Sequence, residues 1–246
     1  MTGATGFLGA HLTRLLSERG DEVRVAYRNP DRLEALKGVK FRRAKADVLD
    51  FRAMRRAVRG AEMLFHTAGF VGSRPLERVW RLNAQAPVVA VEAAAAEGLR
   101  RVVVTSTISA VGLPSDGRPA DEGTEYPDDR LGLAYPDSKH DGEQAALEAG
   151  ERHGIEVTVV NPAYLLGVPV HRSQPGETST RMVGNYLRGR LPAVIGSEMN
   201  FADVEDVARG HLLAAEKGEP GERYILGAVN MSWPTLIDRI SELSGV

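Results

Sequence analysis

The sequence predicts an α/β fold built on a doubly wound parallel sheet, and three observations predict it. Strand-like apolar runs alternate with helical runs at intervals of roughly 20 to 30 residues. Val102-Val103-Val104 is a continuous β-branched run, as expected of a strand buried on both faces of a parallel sheet. Gly3, Gly6 and Gly9 stand three residues apart directly before a helical run. Gly3 suits a tight turn, Gly6 close approach of the backbone to a phosphate, and Gly9 close packing of helix on sheet. The helix start that follows offers unpaired N–H groups to an anion.

The remaining elements follow in chain order. Ala10 to Arg19 carries an apolar stripe of Leu12, Leu15 and Leu16, with Gly20 placed to end the helix. Val23 to Tyr27 reads as a strand, Asn29-Pro30-Asp31 as the turn into a second helix, and Val39 to Ala46 as a further strand. Arg52 to Arg59 is a basic helical stretch with a solvated face. Met63 to Gly69 is an apolar strand running into a small-residue turn, and the helix after it has its alanine-rich part over Asn83 to Glu97. Beyond Val104, a loop rich in Pro, Gly and Asp covers Leu113 to Gly132. A helix then runs from about Pro136 to His153, and Glu156 to Val160 is a strand closed by Asn161-Pro162. After Pro162 the texture changes: a polar loop at His171 to Ser179, a helix near Val204 to Lys217, a strand at Arg223 to Leu226 and a helix from about Pro234 to Leu243.

Composition excludes several classes. The 246 residues are 43% hydrophobic and 26% charged, ordinary for a globular protein with a sizeable core. A formal charge of −2 gives no electrostatic case for nucleic acid or a membrane surface. With no cysteine there is no disulfide, zinc–thiolate site or cysteine nucleophile. The six histidines show no metal-ligand spacing, and no metal is expected. No apolar run approaches a membrane span and no signal peptide is evident, so a soluble cytoplasmic protein is expected.

Two further stretches carry chemistry. Tyr135 and Lys139 lie four apart on a predicted helix and so share a face, with Pro136 suited to its first turn. An ammonium beside a phenol favours the phenolate, which makes the tyrosine a usable acid or base toward a carbonyl or alcohol. Six tyrosines and five lysines in 246 positions give roughly 0.1 chance pairs at that spacing, so the pair is informative. Thr105-Ser106-Thr107 follows the buried strand directly, and ligands of open parallel sheets bind beyond the carboxyl ends of the strands. A hydroxyl there can hold a substrate oxygen; the plainer alternative is that these residues only close the strand.

The motifs Thr2-Gly3-x-x-Gly6-x-x-Gly9, Asp47-Val48, His66-Thr67-Ala68-Gly69, Thr105-Ser106-Thr107, Tyr135-x-x-x-Lys139 and Asn161-Pro162 occur in order along the chain. In that order and spacing the chain resembles the extended short-chain dehydrogenase/reductases, the NAD-dependent epimerase/dehydratase family. Asn161-Pro162-Ala163, Asn200 to Ala208 and Gly221 to Gly227 resemble its dihydroflavonol-reductase-like and hopanoid-associated sugar-epimerase-like branch. The resemblance implies a Rossmann-like fold, with a dinucleotide-binding domain over 1–165 and a smaller substrate region over 166–246 interleaved with the sheet. It implies Tyr135 as acid/base, Lys139 on the nicotinamide ribose, and Thr107 as the catalytic hydroxyl with Ser106 as fallback. It also implies a cofactor held by Gly3, Thr5, Gly6, Phe7, Leu8 and Gly9, by Asp47 and Val48 at the adenine, and by Ala68, Gly69, Thr105, Pro162, Ala163 and Leu165. Asn83 matches a structural asparagine, and a homodimer through the helices at Asn83 to Glu97 and after Tyr135 is implied. Relatives carry an apolar strand before the first glycine and continue beyond Val246, so both ends read as shortened and a gap is expected at the centre of the sheet.

An NAD site usually ends its second strand with an acid, whereas a 2′-phosphate calls for arginine. Tyr27 stands at that position with Arg28 next and Arg32 nearby, so NADP is expected over NAD. Hydride transfer between the cofactor and a carbonyl or alcohol carbon is the expected activity, on a ketone or a nucleotide sugar. The alternative is a non-catalytic NAD(P)-binding sensor or an inactive shortened relative, which has no need of the tyrosine–lysine pair.

Overall fold

Val102, Val103 and Val104 lie in the middle of the main sheet, and all three are buried. Side chains alternate across a strand, so Val103 faces one core with Phe65 and Val160, while Val102 and Val104 face a second with Leu64, Val157 and Val159. A strand apolar on both faces needs helices on both, and the chain supplies them.

The computed structural model describes all residues except 115–116, 175–177, 192 and 195, so parts of the expected loops at 113–132 and 171–179 lie outside the described residues. The first half contains α1 (Phe7–Arg19), β1 (Arg24–Tyr27), β2 (Arg42–Lys45), α2 (Phe51–Val58), β3 (Met63–His66), α3 (Leu76–Trp80), α4 (Ala86–Ala96) and β4 (Arg101–Thr105). There follow α5 (Ala134–His153), β5 (Glu156–Pro162), β6 (Tyr164–Leu166), α6 (Thr178–Tyr186), β7 (Glu198–Asp203), α7 (Val204–Lys217), β8 (Arg223–Leu226), β9 (Val229–Ser232) and α8 (Trp233–Ser244). Strands β3, β4, β5 and β8 are neighbours in that order and all parallel. One face is covered by α1 and α7, the other by α2, α4 and α5, which is the doubly wound arrangement. Local caps fix the ends: Gly20 closes α1 at φ 96, and the side chains of Asp50, Asp203 and Ser232 accept first-turn N–H groups of α2, α7 and α8.

The position where a gap was expected is partly filled. Thr2 donates its N–H to Phe65 O at 3.0 Å and pairs in parallel with His66. On the other side the Met1 nitrogen donates to Arg24 O at 2.6 Å and Met1 O accepts from Ala26 N at 2.8 Å. Two residues thus link the parallel pair β1–β2 to β3, because an extended residue bonds a neighbour on each side.

Other elements depart from the sequence expectation. The second helix is a 3₁₀ stretch, Pro30–Leu36, and the strand expected over Val39 to Ala46 shortens to β2, the part that finds register with β1. The long helix is divided into α3, a π-helical turn Arg81–Gln85 and α4. Pro87 has no N–H to give the Asn83 carbonyl, and the helical ladder widens there. A Cβ on Gly142 of α5 would overlap that carbonyl, so α5 packs closely on the widened turn. A second sheet, with β6 parallel and β9 antiparallel to β7, was not anticipated. Its core is Phe201, Trp233 and Leu236, with Tyr164 edge-on to Trp233. Among the described residues no helix is long and apolar enough to cross a membrane.

Candidate active site

The turns at the carboxyl ends of β1 to β5 border one cleft of about 860 Å³. Gly3, Thr5, Gly6, Phe7, Leu8 and Gly9 line it, as do Arg28, Arg32, Asp47, Val48, Ala68 and Gly69. So do Thr105, Ser106, Thr107, Tyr135, Lys139, Pro162, Ala163 and Leu165. Every residue that the sequence assigned to catalysis or to the cofactor is therefore brought to the same cavity.

The glycine loop is shaped by what surrounds it. Gly3 sits at φ 66, where a Cβ would come 2.5 Å from Ala68 N, and a Cβ on Gly9 would overlap Gly3 O. Gly6 differs: a Cβ there meets only Gly3 O, at 3.2 Å, so its other side is open to the cleft it lines. Helix α1 starts at Phe7 without a side-chain cap, which leaves its first N–H groups for an anion. Gln174 reaches back from the segment after β6 and donates to Gly6 O at 3.0 Å.

Lys139 is buried, and its Nζ donates to the Thr105 carbonyl at 2.7 Å. Burial lowers its ammonium from 10.5 to about 8, against the opposing pull of Glu143. A Cβ on Gly69 would stand 3.4 Å from this Nζ and 3.2 Å from Asn83 Oδ1, so glycine there lets lysine and asparagine approach the strand end. Asn83 accepts from Phe70 N at 2.8 Å, donates to Phe70 O at 3.0 Å and donates to Ser138 Oγ at 3.2 Å. The π turn that carries it thus ties the loop after β3 to α5. Thr107 Oγ1 accepts from Ser109 N at 3.3 Å and caps a short 3₁₀ turn, Ile108–Ala110. At the far strand ends, Arg28 Nη1 lies 3.6 Å from Asp47 Oδ2, so an acid does stand near the arginine, supplied by the turn after β2 rather than by the Tyr27 position.

The cleft suits a dinucleotide on its own geometry: a glycine cradle that a Cβ would fill, an uncapped helix start, and a buried lysine one turn from a tyrosine. Comparison with known proteins decides the family. Residues 1–227 match the NAD dependent epimerase/dehydratase family. The chain belongs to that family. Sterol demethylase protein B of Methylococcus capsulatus is 34% identical over 251 residues, covering 100% of this chain and 74% of that protein. Cinnamoyl-CoA reductase 1 of Petunia hybrida is 33% identical over 243 residues, covering 92% and 71%. Among solved structures, gox2253 superposes with a TM-score of 0.90 at 31% identity over 100% of this chain and 74% of that one. MoeE5, solved with UDP-glucose and NAD, superposes at 0.83 with 25% identity over 99% and 81%. Epimerase/dehydratase family members are NAD(P)-dependent enzymes on a Rossmann-type fold, and this chain has that fold.

Sequence reasoning missed several cleft residues: Asn29, Phe70, Val71, Arg78, Leu82, Ile108, Ser109, Leu133 and Tyr164. Phe70 and Leu133 adjoin recognised motifs, which was the available signal; Arg78, whose guanidinium sits 4.4 Å above the Phe70 ring, had none. The burial of His66, quoted only within a motif, and of His211 was not anticipated either. Burial foremost holds His66 neutral, lowered from 6.5 to about 3, with the Lys139 charge adding to it, and His211 neutral, lowered from 6.5 to about 4.

Both histidines bind a proton on unfolding below pH 6.5 that the folded state refuses. Their contribution to stability is therefore fully present above pH 6.5 and is lost as pH drops toward about 4 for His211 and about 3 for His66. Urea unfolding of His211→Gln across this window should show a shallower pH slope by about one proton; an unchanged slope contradicts the assignment.

Proposed function

We propose that the protein is an NADP-dependent reductase acting on a ketone, with Tyr135 as the acid/base. The observation that carries this reading is the meeting of Tyr135, Lys139 and Thr107 on one cleft with the glycine loop. Gly3 to Gly9 and the start of α1 would hold the pyrophosphate, Asp47 and Val48 the adenine, and Arg28 with Arg32 the 2′-phosphate. Ala68, Gly69, Thr105, Pro162, Ala163 and Leu165 would line the rest of the cofactor. When bound, NADPH supplies the hydride. Tyr135 gives its phenolic proton to the substrate oxygen, and the Lys139 ammonium favours the phenolate left behind. The Thr107 oxygen accepts a backbone N–H and would give its own proton to the substrate oxygen, with Ser106 as the second hydroxyl.

Apolar groups around these residues, Phe70, Val71, Ile108, Leu133 and Tyr164, support an uncharged carbonyl substrate. Residues 166–246 are read as the region that shapes its pocket. Similarity to Cinnamoyl-CoA reductase 1 supports a reductase. The similarity to MoeE5 supports a second reading, a nucleotide-sugar epimerase with no net change of cofactor. Oxidation of NADPH by a ketone panel, set against turnover of a nucleotide-sugar panel, separates the two.

Tyr135→Phe should lower kcat by about 10²- to 10⁴-fold while NADPH still binds; unchanged turnover refutes the role of Tyr135. Arg28→Asp should weaken NADPH far more than NADH in a binding titration, and equal loss for both refutes the cofactor preference.

A further inference from the structure

Glu143 is 1% exposed, lies one turn beyond Lys139 on α5, and has no part in the chemistry above. Tyr135, Lys139 and Glu143 stand at i, i+4 and i+8, so the carboxylate continues the face that carries the reacting groups. Its Oε2 accepts from Asn161 Nδ2 at 2.9 Å, and the same nitrogen donates to the Thr107 carbonyl at 3.0 Å. Asn161 is fully buried on β5. A carboxylate only accepts, so Glu143 dictates that the NH₂ end of this amide faces Thr107. The other oxygen, Oε1, lies 3.4 Å from Arg223 Nη1 on β8.

We propose that Glu143 is a positioning residue of the site: through the Asn161 amide it holds the Thr107 carbonyl, and from one turn beyond Lys139 on the same face of α5 it places a carboxylate toward that ammonium. The contact with Arg223, 3.4 Å with no hydrogen bond at either atom, is weak support for stability, since desolvation offsets its attraction. Opposing influences on Lys139 come from the other elements around it. His66 on β3 is neutral, Arg223 lies beyond Glu143, and His211 on α7 reaches the strand end only through Thr105 Oγ1, at 2.9 Å. Asp137, also on α5, is engaged by Tyr126 Oη at 2.6 Å. Glu143 is the carboxylate whose charge raises Lys139.

The proposal rests on the reading of Lys139 given above, and its test needs no substrate, so its failure is distinct from that of Tyr135→Phe. The chain has five lysines, Lys37, Lys40, Lys45, Lys139 and Lys217, few enough for each ¹³Cε-lysine resonance to be titrated by NMR, with Lys139→Arg identifying the signal. In Glu143→Gln the Lys139 midpoint should move to lower pH while the other four stay in place. A folded Glu143→Gln protein with an unmoved midpoint overturns the proposal. Glu143→Asp keeps the charge and withdraws it from Asn161, so it guards against misfolding of the first variant. There the Lys139 signal should stay near its wild-type midpoint and the Ser109 amide, bonded to Thr107, should shift; an unperturbed Ser109 amide overturns the positioning role.

Discussion

The hydrogen bond from Lys139 Nζ to the Thr105 carbonyl, at 2.7 Å, is the contact on which the site depends. It joins the first turns of α5 to the carboxyl end of β4, the strand at the heart of the sheet. A buried ammonium costs free energy unless it is surrounded by acceptors and an opposing charge. The carbonyl supplies one and Glu143 the other. Close approach is possible because Gly69 has no side chain and because the π turn brings Asn83 to the same point.

That arrangement joins elements far apart in the chain. Asn83 fastens the loop after β3 to α5, Asn161 fastens β5 to the turn after β4, and Gly142 lets α5 rest on the Asn83 carbonyl. The glycine loop is fixed from the same side, since Thr2 pairs with His66 and Gly3 sits against Thr67 and Ala68. A change at one anchor therefore displaces both the cradle and the acid/base pair.

The parts legible in the sequence were those written in local spacing. Three glycines at intervals of three, a tyrosine and lysine four apart, and a run of valines each specify their geometry within a few residues, and all fell where the sheet needs them. The small sheet was not legible, because β6 and β9 are only three and four residues long and owe their form to pairing with β7. The π turn was hidden for a related reason: an alanine-rich helical stretch masks the one proline that breaks its ladder. Glu143 looked like an ordinary helix residue, since its isolation from water depends on elements packed from elsewhere.

The cleft has the shape of a dinucleotide site because side chains are missing at Gly3, Gly6 and Gly9. Titration with NADPH and with NADH, followed by nicotinamide fluorescence in the wild type and in Gly6→Val, tests it most directly. Saturable one-to-one binding that is lost in a Gly6→Val protein of unaltered melting temperature is the predicted result. Absence of saturable binding to the wild type, or equal binding by the valine variant, would contradict it.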